Sequence, residues 1–168
     1  LGAALSSILA FKLAGKTKSW IPKPITCISF ESPFAGGHSF GEAFRQLERD
    51  GMIRYLRVTN SRDIVPAMPP FSLGIRNKGL YQHVGIRLDF ANSKKYARSY
   101  PRTGRMNRLR RSLANTLLKP VWSVLHYHAL ELVDERLVVH KEALSNLTID
   151  GIYRDESIVG DIAIHDEL

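Results

Sequence analysis

Apolar and polar positions along the chain follow two periods, 3.6 and 2, and the switches between them set out a run of helices and strands. Residues 3–14 place Ala4, Ile8 and Phe11, with Leu5, Leu9 and Leu13, on broad apolar faces, which predicts a helix buried against a sheet. "KTKSWIPKP" is a turn-rich connection ended by two prolines. "ITCISF" is a short continuous apolar run of the type found in a buried parallel strand. "SFGEAFRQLERDG" predicts a helix closed by Gly51. "IRYLRVT" alternates and predicts the next strand; the polar turn "NSRD" and the proline-punctuated loop "IVPAMPPFSLG" follow it. "HVGIRLDF" predicts a further strand. "RMNRLRRSLANTLLKP" carries Met106, Leu109, Leu113 and Leu117 at helical spacing, and "ALELVDERLVVHKEALSNL" predicts a long helix. Helix and strand in alternation is the pattern of an α/β sheet. There is no internal repeat and no second domain, so residues 1–168 read as one domain.

At 168 residues, 44% of them hydrophobic, the chain suits one soluble globular core. No apolar run approaches the roughly 20 residues that a membrane span needs. The single Cys27 lies within an apolar strand and can form no internal disulfide, so it reads as a small buried hydrophobe. No cofactor fingerprint or metal-ligand spacing is present. The first residues, "LGAALSSILAFKLAGK", already have the pattern of the inside of an element, and the chain reads as a fragment cut at its N-terminus. A signal peptide is the poorer reading, because the basic n-region is missing and Lys12 interrupts the run.

Charge changes the picture in one place. The formal net charge is +8, and eight basic residues (Lys94, Lys95, Arg98, Arg102, Arg105, Arg108, Arg110, Arg111) fall in one stretch without an acidic residue. Outside it the remaining basic residues balance the acidic ones, so the segment is a separate basic device, an insertion at about 92–120.

Candidate chemistry starts with Gly37-His38-Ser39-Phe40-Gly41, a G-x-S-x-G of the form that presents a nucleophilic serine on a strand-to-helix turn. Such a turn needs a strand running directly into the first glycine, and here Glu31 to Gly36 intervene. Ser39 is instead expected to be the N-cap of the following helix, with Glu42 completing a capping box.

A second set of segments carries a resemblance. "LGAALSSILAFKLA", "ITCISFESPFAG", "FGEAF", "YLRVTNSRDIVPAMPP" and "YQHVG" resemble, in order and spacing, the fungal-type (class 3) lipase family of α/β-hydrolases, most specifically in "NSRDIVPAMPP". The resemblance covers most of residues 1–90. It implies the C-terminal part of an α/β-hydrolase fold, a mostly parallel sheet flanked by helices. It also implies that Leu1-Gly2 closes another G-x-S-x-G, with the nucleophile just upstream and the Leu1 backbone N–H in the oxyanion hole. The activity implied is hydrolysis of lipid esters, acylglycerols or related lipids, through an acyl-enzyme.

Such chemistry needs an acid and a base after the nucleophile, in the order Ser, Asp, His. Asp63 follows the strand "IRYLRVT" at the expected carboxyl edge of the sheet and resembles the family's triad acid, although "NSRD" is also Asx-turn chemistry. For the base, His128 precedes a helix with the Arg136-Leu137 pair found in related sequences, while Val133 stands where they often carry an aromatic. His126 is the neighbouring alternative. His83 precedes "VGIRLDF", the wrong edge if that strand is parallel, and the family has a histidine in a similar setting that is not the base. His38, His140 and His165 read as solvated or loop residues.

The basic segment bears on partners. A helix with Leu and Met on one side and Arg on the other fits peripheral contact with an anionic lipid surface. The non-catalytic alternative is a membrane-surface or nucleic-acid binding module built on residues 94–111. Nucleic acid is disfavoured because no RNP, zinc or helix-turn-helix pattern accompanies the arginines. Nothing in the pattern specifies an oligomer. The closing His165-Asp166-Glu167-Leu168 is the HDEL address of the endoplasmic reticulum lumen, and Asn146-Leu147-Thr148 is a sequon compatible with it. The alternative is the cytoplasm, since no signal sequence is visible in the chain.

Overall fold

The structure, a computed structural model, describes residues 1–60, 63, 65–67, 81–90, 96–99 and 130–154. Gly2–Ala14 form α1, Ile25–Phe30 β1, His38–Arg49 α2, Ile53–Asn60 β2, Ile86–Phe90 β3 and Tyr96–Ser99 β4. Leu130–Val139, Lys141–Ser145 and Ile149–Arg154 form α3, α4 and α5. The strands make one sheet in the order β1-β2-β3-β4, with β1–β2 and β2–β3 parallel and β3–β4 antiparallel. This is the α/β arrangement that the alternation of periods predicts.

Three details differ from the sequence reading. First, β4 lies within the start of the basic segment and pairs antiparallel with β3, so the sheet extends into that segment. Pairing through the backbone needs no apolar alternation, and "YARS" has none. The helix expected over "RMNRLRRSLANTLLKP" lies outside the described residues. Second, the helix expected over "ALELVDERLVVHKEALSNL" breaks at His140 into α3 and α4.

Third, α1 does not bury its leucines. It packs on β1 and β2 through Ala4, Ser7, Ala10 and Ala14, while Leu5 and Leu9 are exposed. Small side chains let the helix lie close to the sheet; Leu5 and Leu9 are left on its outer side, while Phe11 packs on Phe40 and Phe44 of α2. At its C-terminal end, the Lys23 ammonium donates to the carbonyls of Leu13 and Ala14, both at 2.6 Å, a cation at the end of the helix where its dipole favours one.

β2 is the centre of the sheet and is buried on both faces from Tyr55 onward. Ile53 and Tyr55 join Ala10, Ala14, Phe44 and Val84 beneath α1 and α2. Leu56 and Val58 join Ile86, Leu88, Phe90 and Ile152, with Leu137 and Leu144 of α3 and α4 packed against them. Burying a side chain such as Phe44 contributes roughly 2–3 kcal/mol. Tight approach is fixed at Gly85, where φ is +71° and an added Cβ would meet the Tyr55 carbonyl at 2.3 Å.

β3 begins opposite Leu56, so the Tyr55 amide and carbonyl lie beyond its first rung. The Tyr153 hydroxyl of α5 takes their place: it accepts the Tyr55 N–H at 2.6 Å and lies 3.0 Å from the Tyr55 carbonyl and 2.8 Å from Glu48 Oε1. Leaving such a buried backbone donor unpaired would cost about 1–3 kcal/mol. With the Arg54–Asp150 ion pair, this hydroxyl anchors the last helix on the sheet.

Candidate active site

Parallel strands bring their carboxyl ends to one edge. Phe30 pairs with Val58 in the β1–β2 ladder, and Asn60 pairs with Phe90 in the β2–β3 ladder, so Glu31, Asn60, Asp63 and Phe90 converge there. α1 runs antiparallel to β1. Its C-terminal carbonyls meet Lys23 just before the strand, and its Ser6 hydroxyl meets Cys27 Sγ at 4.0 Å. The α1 N-terminus, with Leu1 and Gly2, therefore points to the same edge as Asp63.

Asp63 is buried, 6% exposed. Its N–H donates to the Asn60 carbonyl at 3.0 Å and its Oδ1 accepts the Val65 N–H at 2.8 Å. Both are turn chemistry: Asp63 opens an Asx turn onto Val65 that also sets its carboxyl at the sheet edge. The short 3-10 turn Val65–Ala67 follows.

Glu31 went unremarked in the sequence and is the second carboxyl of this edge. It is buried, 3% exposed, and its Oε1 accepts the Asn60 N–H at 2.6 Å. Burial first, then the charge of Asp63 and a hydrogen bond to it, push the Glu31 carboxyl up to about 9; the Asn60 N–H opposes this and the charge of Asp89 adds to it. Asp89 itself pairs with Arg87 at 2.9 Å and accepts the Thr59 hydroxyl at 3.1 Å. Arg136 reaches in from α3 and donates to Asn60 Oδ1 at 2.6 Å and to the Phe90 carbonyl at 2.8 Å. The residue noticed as a sequence marker thus bolts α3 to the carboxyl edge, while Val133 of the same helix is buried. The signal for Glu31 was an acidic residue directly ending an apolar strand.

Segment 1–73 carries the recognisable part of this edge. A family model described as Lipase (class 3) matches residues 1–73. Over that segment the chain is similar to class 3 lipases. Phospholipase A1-II 6 of Oryza sativa subsp. japonica is 38% identical over 78 residues, covering 42% of this chain and 19% of the relative. The chain thus spans about a fifth of that relative's length. No solved structure matches it.

Within the lipase-family segment, the G-x-S-x-G around Ser39 has packing reasons of its own. Gly37 is the N-cap of α2 and makes no side-chain cap bond, so Ser39 stands inside the first turn, exposed, and the capping box with Glu42 does not form. The expected cap fails because the helix starts one residue early, at His38, whose Nε2 pairs with Glu42 at 2.9 Å. Gly41 lies against Gln82, whose Oε1 would be 2.7 Å from an added Cβ.

The histidines divide clearly. β3 is parallel to β2, so His83 enters from the amino end of its strand; it stacks on Phe34 at 4.0 Å between ring centroids. With Ser7, Ser32, Tyr55 and Arg57 it lines a cavity of about 10 Å³, room for a single water. His140 is buried, 2% exposed, and stacks on Phe90 at 4.9 Å, so it is not a solvated residue; His38 is partly exposed in the first turn of α2, bonded to Gln82 and Glu42. His126, His128, His165 and the HDEL sequence lie outside the described residues, as does the basic segment apart from the β4 backbone. Asn146 of the sequon is exposed at the turn after α4. No described helix is long and apolar enough to cross a membrane.

Proposed function

We propose that the protein containing this chain hydrolyses carboxylic esters of lipids through a serine acyl-enzyme. In this reading Asp63 is the triad acid, His128 the base, and a serine just upstream of Leu1 the nucleophile. The observation that carries it is a buried carboxyl, Asp63, at the carboxyl edge of a parallel sheet, within the lipase-family segment and on the same edge as the N-terminus of α1. Active sites of open α/β sheets are built at that edge.

The chemistry follows from the order of groups. The serine oxygen attacks the ester carbonyl while His128 takes its proton, and Asp63 orients the imidazole and stabilises the imidazolium. The carbonyl oxygen, now negative, is met by the Leu1 N–H at the start of α1, where unpaired amides and the helix dipole favour an anion. The proton passes to the leaving alcohol, and water then releases the fatty acid by the same steps in reverse. Arg136 supports this by tying α3, which directly follows the His128 segment, to Asn60 and Phe90.

The rice relative's name, phospholipase A1, favours a glycerophospholipid substrate over a neutral acylglycerol. The basic segment fits the same choice, since arginines beside a lipid surface meet phosphates. The purified full-length protein is therefore expected to release fatty acid from phospholipid vesicles, faster when these contain anionic lipid, with the advantage lost at high salt. Binding to vesicles or RNA with no fatty acid released from phospholipid or emulsified acylglycerol would support the non-catalytic binding module instead.

A further inference from the structure

Glu31 is held in a conformation that its residue type does not favour. It follows β1 directly with φ of +48°, a left-handed region that costs a non-glycine residue roughly 1–2 kcal/mol. Its N–H still completes the ladder to the Val58 carbonyl at 2.9 Å, so the turn sends the side chain inward, beneath the edge. There Oε1 takes the Asn60 N–H, and Oε2 is fully buried with no N–H or hydroxyl donor bonded to it among the described residues. Asn60 links Glu31 to Asp63: the Asn60 carbonyl accepts the Asp63 N–H at 3.0 Å, so the two buried carboxyls share one short stretch of the edge. Two carboxyls brought together away from water favour keeping a proton on one of them.

We propose that Glu31 is a positioning residue for Asp63: its carboxylic acid donates a hydrogen bond that holds the Asp63 carboxylate in place, and loss of that proton sets an alkaline limit on activity. The inference rests on the reading of Asp63 as triad acid. The surroundings explain why the proton resides on Glu31. It is the more buried of the two, and Asp63 and Asp89 both lie close enough for their charges to oppose its ionisation. Of the cations on neighbouring elements, Arg87 on β3 pairs with Asp89, and Arg136 on α3 is directed at Asn60 and the Phe90 carbonyl.

The sign of the effect is fixed. Because the folded-state value is raised to about 9, the protein is most stable with respect to this group below its unfolded value, near 4.3, and loses that stability as pH rises through about 9. Above it, a second charge stands beside Asp63 and the hydrogen bond is gone.

The test is kcat and KM against pH for the full-length wild type, Glu31→Gln and Glu31→Ala, with thermal unfolding of each over the same range. Gln keeps a donor and cannot ionise. Glu31→Gln is expected to keep kcat at pH 7 within about threefold and to retain activity above pH 9, where the wild type falls; Glu31→Ala is expected to lose about tenfold in kcat at unchanged KM. The midpoint of unfolding should fall with rising pH in the wild type and stay flatter in Glu31→Gln. Superimposable activity profiles for wild type and Glu31→Gln, with Asp63→Asn inactive, would overturn the role of Glu31 and leave the triad standing. Full activity in Asp63→Asn would remove the triad reading and this inference together.

Discussion

Replacing Asp63 by Asn is expected to lower kcat on the order of 10⁴-fold, with little change in KM or in folding. Asparagine has the same shape, and its Oδ1 can still accept the Val65 N–H that closes the Asx turn. The lost feature is the charge. Without it the histidine has no partner to fix its tautomer, and the imidazolium formed during attack is not stabilised. A purely structural Asp63 would behave differently: the turn would survive in Asn, and activity would stay within about tenfold of wild type. Steady-state hydrolysis of a soluble ester, with circular dichroism as the control for folding, separates the two.

The second large effect is expected at the base. His128→Ala should abolish turnover to a similar degree, on the order of 10⁴-fold or more, and the double variant with Asp63→Asn should be no worse than His128→Ala alone, because triad members act as a unit. His126→Ala and His83→Ala supply the contrast. His83 stacks on Phe34 and lines a small pocket of water size, so its removal should lower the unfolding midpoint and leave kcat near wild type. A loss concentrated in His126→Ala would move the base by two residues; additive losses from Asp63 and His128 would argue against a triad.

How much of this was legible in the sequence differs from element to element. β1 was readable as a strand from six consecutive apolar or small residues, but the run misled about cover: Thr26, Ile28 and Phe30 share an exposed face, with Ile28 47% and Phe30 41% exposed. β2 was found, but its alternation misled about burial: Arg57 is 2% exposed, its Nε donating to the Val84 carbonyl at 2.8 Å, which a sequence pattern reads as an outward charge. The leucines of α1 misled in the opposite sense, since periodicity gives faces and not the distance at which a helix packs. Asp63 was legible through a local turn. Glu31 was not, because its meaning comes from a contact 32 positions away that only the parallel register creates. Arg136 was visible as a pattern without a reason; its reason is the pair of acceptors, Asn60 Oδ1 and the Phe90 carbonyl, that two different strands place under α3.

The same logic explains the two serine motifs. Around Ser39, glycine spacing is accounted for by the N-cap at Gly37 and by the approach of Gln82 to Gly41, so a G-x-S-x-G arises from packing alone. At the other end of the lipase-family segment, α1 starts at the edge that holds Asp63, where a serine preceding Leu1 would stand over the helix N-terminus.

The most direct measurement is labelling of the full-length protein with a fluorophosphonate, which reacts with an activated serine, followed by mapping of the modified peptide. The label is expected on a serine immediately upstream of Leu1, unchanged in Ser39→Ala and strongly slowed in Asp63→Asn. Labelling of Ser39, or no labelling of a folded protein, would contradict the account.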